Sequence, residues 1–304
     1  MYVKPIAFDS LGVRSMCIEV ETDDLRMVID PSVALGPRRY GLRPHRVERE
    51  RLKELALKVE EAARDADLLI VTHYHYDHHD TGKKISVEIY DGKILIIKDP
   101  ENNINPSQRF VRAPRFLKTV RDRVRELHVG DGNEFKFGGT LIKFSKPVFH
   151  GINDKLGYVI EVLVSHGGET FIYSSDVEGP PHKDQLEFML VEEPDLVVVD
   201  GPLTYMLGRR FPEEMLENSL ANLMKLVREA RPRKLVLDHH LLRDLNYREH
   251  LAPVYEIAGD YGVKVLTAAE LLGVEPLLLE ARRKELYERE RAEEAEGEAK
   301  EGEE

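Results

Sequence analysis

Residues 68–80 read Leu68-Leu69-Ile70-Val71-Thr72-His73-Tyr74-His75-Tyr76-Asp77-His78-His79-Asp80. An apolar run of strand length leads straight into four metal-ligand side chains within six positions, His73-x-His75-x-Asp77-His78. On extended backbone, side chains two apart share a face, so His73 and His75 can grip one cation. Asp77 and His78, where the chain turns, can face a second cation close by. Buried without a cation these groups would be unpaired and costly, and a solvated loop this rich in histidine would be unusual. The spacing predicts a metal centre at the end of a buried strand.

Upstream, residues 47–66 carry Leu52, Leu55, Val59, Ala62 and Ala63 at helical spacing among charges, which predicts an amphipathic helix. Residues 16–21 and 25–30 read as a strand hairpin turned at Thr22-Asp23-Asp24. Downstream, 85–90 and 93–98 read as a second hairpin, turned at Asp91-Gly92. Residues 99–114 read as a polar loop and 115–125 as a basic segment, mostly an exposed helix face. Residues 127–164 are strand-rich. From about residue 170 strands (171–174, 196–200, 235–238, 263–266) alternate with helices (183–191, 212–230, 247–259). Strands first and strand–helix units afterwards predict an α/β chain of two packed sheets with helices outside. Residues 280–304, mostly Glu, Arg, Lys and Ala, read as a solvated helix fraying into a disordered acidic tail, outside a single domain of residues 1–279.

The 304 residues include 44 Lys+Arg and 56 Asp+Glu, a net charge of −12. That balance offers no general attraction for nucleic acid, which could bind only through a local basic patch. With 42% hydrophobic and 33% charged residues, the chain can build a core and is not intrinsically disordered. No apolar run approaches the roughly 18 residues of a membrane span, and the first ten residues lack a signal-peptide pattern. Cys17, the single cysteine, rules out internal disulfides and cysteine-pair sites and reads as a core residue. These features predict a cytoplasmic protein with no membrane partner. The absence of Trp and the abundance of Glu, Lys and Arg lean towards proteins built for heat.

His-x-His-x-Asp-His after a strand resembles the signature of the metallo-β-lactamase fold superfamily. Further elements follow in that superfamily's order: Asp30 after Val28-Ile29, His150 after Pro147-Val148-Phe149, Asp176 after Phe171–Ser175, and His239-His240 after Leu235–Asp238. More narrowly, the chain resembles a family of predicted metal-dependent hydrolases within it. The resemblance implies a four-layer αββα sandwich in which His73, His75 and His150 hold one metal and Asp77, His78 and a terminal histidine hold the other, with Asp176 bridging. The terminal ligand is His239 or His240, and His239, the first residue past the strand, is preferred. Asp30 is then an orienting residue rather than a ligand. The run Asp77-His78-His79-Asp80-Thr81-Gly82 departs from the common Asp-His-x-Gly-Gly continuation, so about 83–125 reads as a family-specific insertion.

Neutral imidazoles and carboxylates suit Zn²⁺, two per chain, and also Mn²⁺ or Fe. Two such ions would activate a water, so no Ser or Cys nucleophile is needed. The expected activity is hydrolysis of an ester-like bond, a phosphodiester or lactone favoured, with Asp77 and Asp176 in the catalytic set. The alternatives are a nuclease of the same fold and an iron-binding redox or non-hydrolytic metalloprotein. Arg109, Arg112 and Arg115 in one loop are candidate contacts for a small-molecule or phosphate-containing substrate. His182 is a candidate substrate-binding or proton-donating residue, and His79 a candidate for supporting the ligands or acting as leaving-group acid.

Overall fold

The computed structural model describes residues 1–191 and 194–301. The strands are β1 (Tyr2–Phe8), β2 (Met16–Glu21), β3 (Arg26–Ile29), β4 (Leu68–Val71), β5 (Ile94–Ile97), β6 (Glu126–Val129), β7 (Glu134–Phe137), β8 (Thr140–Phe144), β9 (Val148–Phe149), β10 (Tyr158–Val159), β11 (Val162–His166), β12 (Glu169–Tyr173), β13 (Leu196–Asp200), β14 (Lys234–Asp238) and β15 (Lys264–Leu266). The helices are α1 (Arg46–Asp65), α2 (Ala113–Val120), α3 (Asp184–Val191), α4 (Glu213–Glu229), α5 (Tyr247–His250), α6 (Ala252–Tyr261), α7 (Ala268–Leu271) and α8 (Arg283–Glu301).

Among the described residues, β1 to β6 form one sheet in sequence order, and a second sheet runs β15-β14-β13-β12-β11-β8-β7. Each is part antiparallel and part parallel: β3 to β6 are parallel in the first, β12 to β15 in the second. Parallel strands covered on both faces read as unbroken apolar runs, which explains Leu68-Leu69-Ile70-Val71 and Leu196-Val197-Val198-Val199. In β13, Val198 faces the core between the sheets while Val197 and Val199 pack towards the helices with Leu223, Leu226 and Val254. Helix α1 covers the first sheet with Leu55, Val59 and Ala63. The layers are helix, sheet, sheet, helix, as expected.

Three local expectations are corrected. Residues 85–98 do not form a hairpin: Val87–Tyr90 is a tight helical turn, and β5 lies between β4 and β6, parallel to both. The Asp91-Gly92 turn signal was real, but tertiary pairing claimed the strand, so the expected insertion at 83–125 includes a strand of the main sheet. The polar loop at 99–114 is helical from Gln108 onward and runs into α2, which buries Ala113, Phe116 and Val120. The helix expected at 247–259 is divided at Leu251, with Pro253 in the first turn of α6.

The tail is also not uniformly solvated. Ala281 is buried, and Arg283 is fully buried on Glu48, with which it makes 2.7 and 2.8 Å hydrogen bonds. Beyond it, Tyr287 packs edge-on against His45 at 4.8 Å, and Glu290 sits 3.1 Å from His45 Nε2. Residues 302–304 of that segment lie outside the described residues.

Glu280 accepts from Arg14 at 2.6 and 2.5 Å. Burial works against its charge, but Arg14 outweighs burial and holds the carboxyl at about 2 instead of the ordinary 4.5. A folded-state value below the unfolded one stabilises above about pH 4.5 and is lost as pH falls towards 2. The difference amounts to about 3 kcal/mol. Denaturant unfolding of the wild type and Glu280→Gln across that range should therefore show their stability gap closing as pH falls. A constant gap would contradict the assignment.

Candidate metal centre

The carboxyl ends of β3, β4, β12, β13 and β14 emerge on one edge of the sandwich, the place where α/β sheets collect their ligands. β3 delivers Asp30, β4 delivers His73 to His79, β12 delivers Asp176, and β14 delivers His239 and His240; His150 arrives just after β9. Asp30, Ser175, Glu178 and His239 all have φ between +51° and +59°. Left-handed backbone at four non-glycine residues carries a cost that tertiary contacts must offset, and such residues cluster at functional sites.

The expected ligands assemble into two neighbouring groups. His73, His75, His150 and Asp176 can direct donor atoms to one point, and Asp77, His78 and His239 to another. Asp176 lies between them. Its Oδ2 is 3.4 Å from His73 Nε2 and 3.1 Å from His150 Nε2, while its Oδ1 is 2.8 Å from His78 Nε2 and 3.4 Å from His239 Nε2. Of the two terminal histidines, His239 joins Asp77 and His78, with its Nε2 3.8 Å from Asp77 Oδ2. His240 forms a third such group with Asp176 and His239 and is held at Nδ1 by Asp200 at 2.9 Å.

The donor set fits a metal. His73 Nε2, His78 Nε2, both ring nitrogens of His150 and Asp176 Oδ1 are buried without a hydrogen-bond partner. Orphaned buried polar atoms cost about 1–3 kcal/mol each unless something binds them, and the orphaned Nε2 atoms of His73, His78 and His150 around the Asp176 carboxylate fit cation ligation. Burial lowers the His73 pKa to about 4 and pushes His75 well below its ordinary value, so both are neutral donors. Burial also disfavours charge on His78, but Asp176 and Asp30 reverse this and raise it to about 10. A proton there occupies the position that a cation would take.

Supporting residues orient the ligands. Asp30 accepts from Thr72 N (2.8 Å), Thr72 Oγ1 (2.6 Å), Tyr173 Oη (2.7 Å) and His78 Nδ1 (2.7 Å), so it turns His78 Nε2 towards Asp176. Asp9 does the same for His239 through Nδ1 at 2.7 Å while its other oxygen accepts from Arg243 at 2.9 Å. Nothing near Asp9 in sequence marked it; β1 brings it to the centre from 230 residues away. Gln108, also unanticipated, is fully buried with Nε2 3.3 Å from His75 Nε2. His79 is buried among Tyr74, Tyr76 and Phe116 and donates from Nδ1 to the His75 carbonyl at 2.9 Å, which supports the ligand loop.

Other expected residues fall elsewhere. His182 donates from Nε2 to the Ile152 carbonyl at 2.9 Å and packs on Phe149, away from the ligand groups and not lining the cavity above them. That cavity of about 450 Å³ is lined by Arg112 but by neither Arg109 nor Arg115. Arg109 faces a separate surface groove with Phe110 and Lys118. Helical backbone, in place of the expected loop, fans the three arginines apart. The cavity also receives Arg210 and Tyr205, which the sequence did not single out.

A family model described as the beta-lactamase superfamily domain matches residues 26–240. The chain is 50% identical over 290 residues to a UPF0282 protein of Sulfurisphaera tokodaii, covering 95% of this chain and 94% of the relative. It is 51% identical over 287 residues to a UPF0282 protein of Metallosphaera sedula, covering 94% and 93%. Among solved structures it is similar to the metallo-beta-lactamase fold protein YhfI from Bacillus subtilis (TM-score 0.53, 13% identity, 88% of this chain and 96% of that one). It is also similar to an isothiocyanate hydrolase from Delia radicum gut bacteria (TM-score 0.52, 18% identity, 84% and 94%). No helix among the described residues is long and apolar enough to cross a membrane. The sandwich, the ligand order and these likenesses agree: the chain belongs to the beta-lactamase superfamily, and within it to the UPF0282 family.

Proposed function

We propose that this protein is a dinuclear metal-dependent hydrolase, with two Zn²⁺ per chain, that cleaves an ester-like bond, a phosphodiester or lactone favoured. The observation that carries the reading is the placement of Asp176, whose two carboxylate oxygens face two separate groups of histidines. His73, His75 and His150 would hold one ion and Asp77, His78 and His239 the other. Bound divalent cations supply Lewis acidity and lower the pKa of a water. The chain's own residues supply the rest. Asp30 and Asp9 keep two imidazoles aimed at the centre, and burial keeps His73 and His75 deprotonated. His240, fixed at Nδ1 by Asp200, is left with Nε2 as a hydrogen-bonding atom for substrate. We place the protein in the cytoplasm on the sequence grounds given above.

Elemental analysis of untagged protein purified without chelators tests the reading. Close to two zinc or manganese ions per chain is the expected result, with hydrolysis of phosphodiesters or lactones lost on chelation. Predominant iron with redox-linked spectra would turn the reading to a redox protein, and no metal above background would overturn it.

A further inference from the structure

Four arginines line the cavity above the ligand groups: Arg14, Arg112, Arg210 and Arg243. Two are already neutralised. Arg14 is bound by Glu280, and Arg243 donates to Asp9 at 2.9 Å beneath His239. Arg112 and Arg210 make no ion pair with any described residue. Arg112 lies over the Tyr76 ring at 5.1 Å, and its side chain makes no hydrogen bond with any described residue. Arg210 comes from a different segment, just before Phe211. Glu178, which feels the Arg210 charge, is buried close to His150 and His240 and forms no ion pair with Arg210. Asp77 and Asp176, the other cavity carboxylates, belong to the ligand groups. Two guanidinium groups outside any ion pair among the described residues therefore line a cavity of about 450 Å³, a size that suits a small molecule.

We infer that Arg112 and Arg210 form a recognition pair for an oxyanion, a phosphate or carboxylate group carried by a small substrate apart from the bond that is cleaved. A guanidinium fork matches the oxygen spacing of either group. Two forks from separate segments accept a group with several oxygens. The inference rests on the hydrolase reading for the word substrate, and its test is independent of turnover.

Calorimetric titration of the metal-loaded protein with inorganic phosphate, and separately with acetate, reads the pair directly. The double variant Arg112→Gln/Arg210→Gln should weaken binding at least tenfold with metal content unchanged, whereas Arg109→Gln should leave it as it was. A loss confined to phosphate identifies a phosphate-bearing substrate, and a loss confined to acetate identifies a carboxylate-bearing one. Unchanged affinity for both anions in the double variant, or an equal loss in Arg109→Gln, overturns the pair. Tighter binding of a single-stranded oligonucleotide that the double variant does not weaken overturns it as well. If the anion effect is found but the wild type hydrolyses no ester, the hydrolase reading fails and the recognition pair stands. Hydrolysis without the anion effect separates them the other way.

Discussion

Asp176→Ala should lower hydrolysis on the order of 10³-fold or more while the protein remains folded. The carboxylate sits within 3.4 Å of four imidazole nitrogens and is the single group common to both halves of the centre. Its loss takes one anionic donor from each group at once, so the bound metal should fall below two per chain. The fold should survive because Asp176 contributes no packing to either apolar core and its neighbours are positioned by other residues: His78 by Asp30, His239 by Asp9, and His73 by Ser175 Oγ at 3.3 Å from Nδ1. Circular dichroism, metal analysis and hydrolysis rate on one preparation check all three parts. Asp176→Asn, which keeps the size and removes the charge, should fail in the same way. Full activity with full metal content in either variant would end the mechanism.

Arg283→Met should destabilise the protein by about 3–5 kcal/mol in denaturant unfolding, far more than a residue on a solvated helix could. Arg283 is fully buried and donates to Glu48, to the Gly36 carbonyl at 3.0 Å and to the Leu42 carbonyl at 3.2 Å. Removing it leaves the Glu48 carboxylate buried with the His45 N–H as its remaining donor, at 2.7 Å. Most of the cost is that stranded charge. Adding Glu48→Gln to Arg283→Met should therefore recover more than 1 kcal/mol, although the same change alone is destabilising. If Arg283→Met costs less than 1 kcal/mol, the start of α8 is a solvated appendage after all. The consequence reaches the site, because Gly36 and Leu42 lie in the segment whose Leu35 and Pro37 wall the cavity.

The candidate ligands were legible because metal chemistry restricts residue type and strand geometry restricts spacing. His73, His75, Asp77 and His78 announce themselves within six positions, and His150, Asp176 and His239 each follow an apolar strand. The helix α1 and the strands β2, β4, β13 and β14 were equally readable, since burial on one or both faces leaves a periodic or unbroken apolar pattern. The strand β5 was placed at the right residues but given the wrong partner, because hairpin and crossover strands have the same local composition. The arginines were misjudged for a similar reason. A polar segment reads as a loop until Gln108 and Ala113 are seen buried on helical backbone, which sends Arg109 and Arg112 to different surfaces.

The sequence by itself determined the candidate ligand types, their order and the layered α/β class, since each depends on contacts between residues near one another or on the two periods of secondary structure. Only the tertiary structure decided that Asp9 and Gln108 reach the centre, that Arg210 rather than Arg109 shares the cavity, and that Arg283 is a core residue. These depend on contacts between positions up to 247 residues apart. Local pattern carries no information about which strand end meets which, and the partner of a buried charge is set by packing across the whole sandwich.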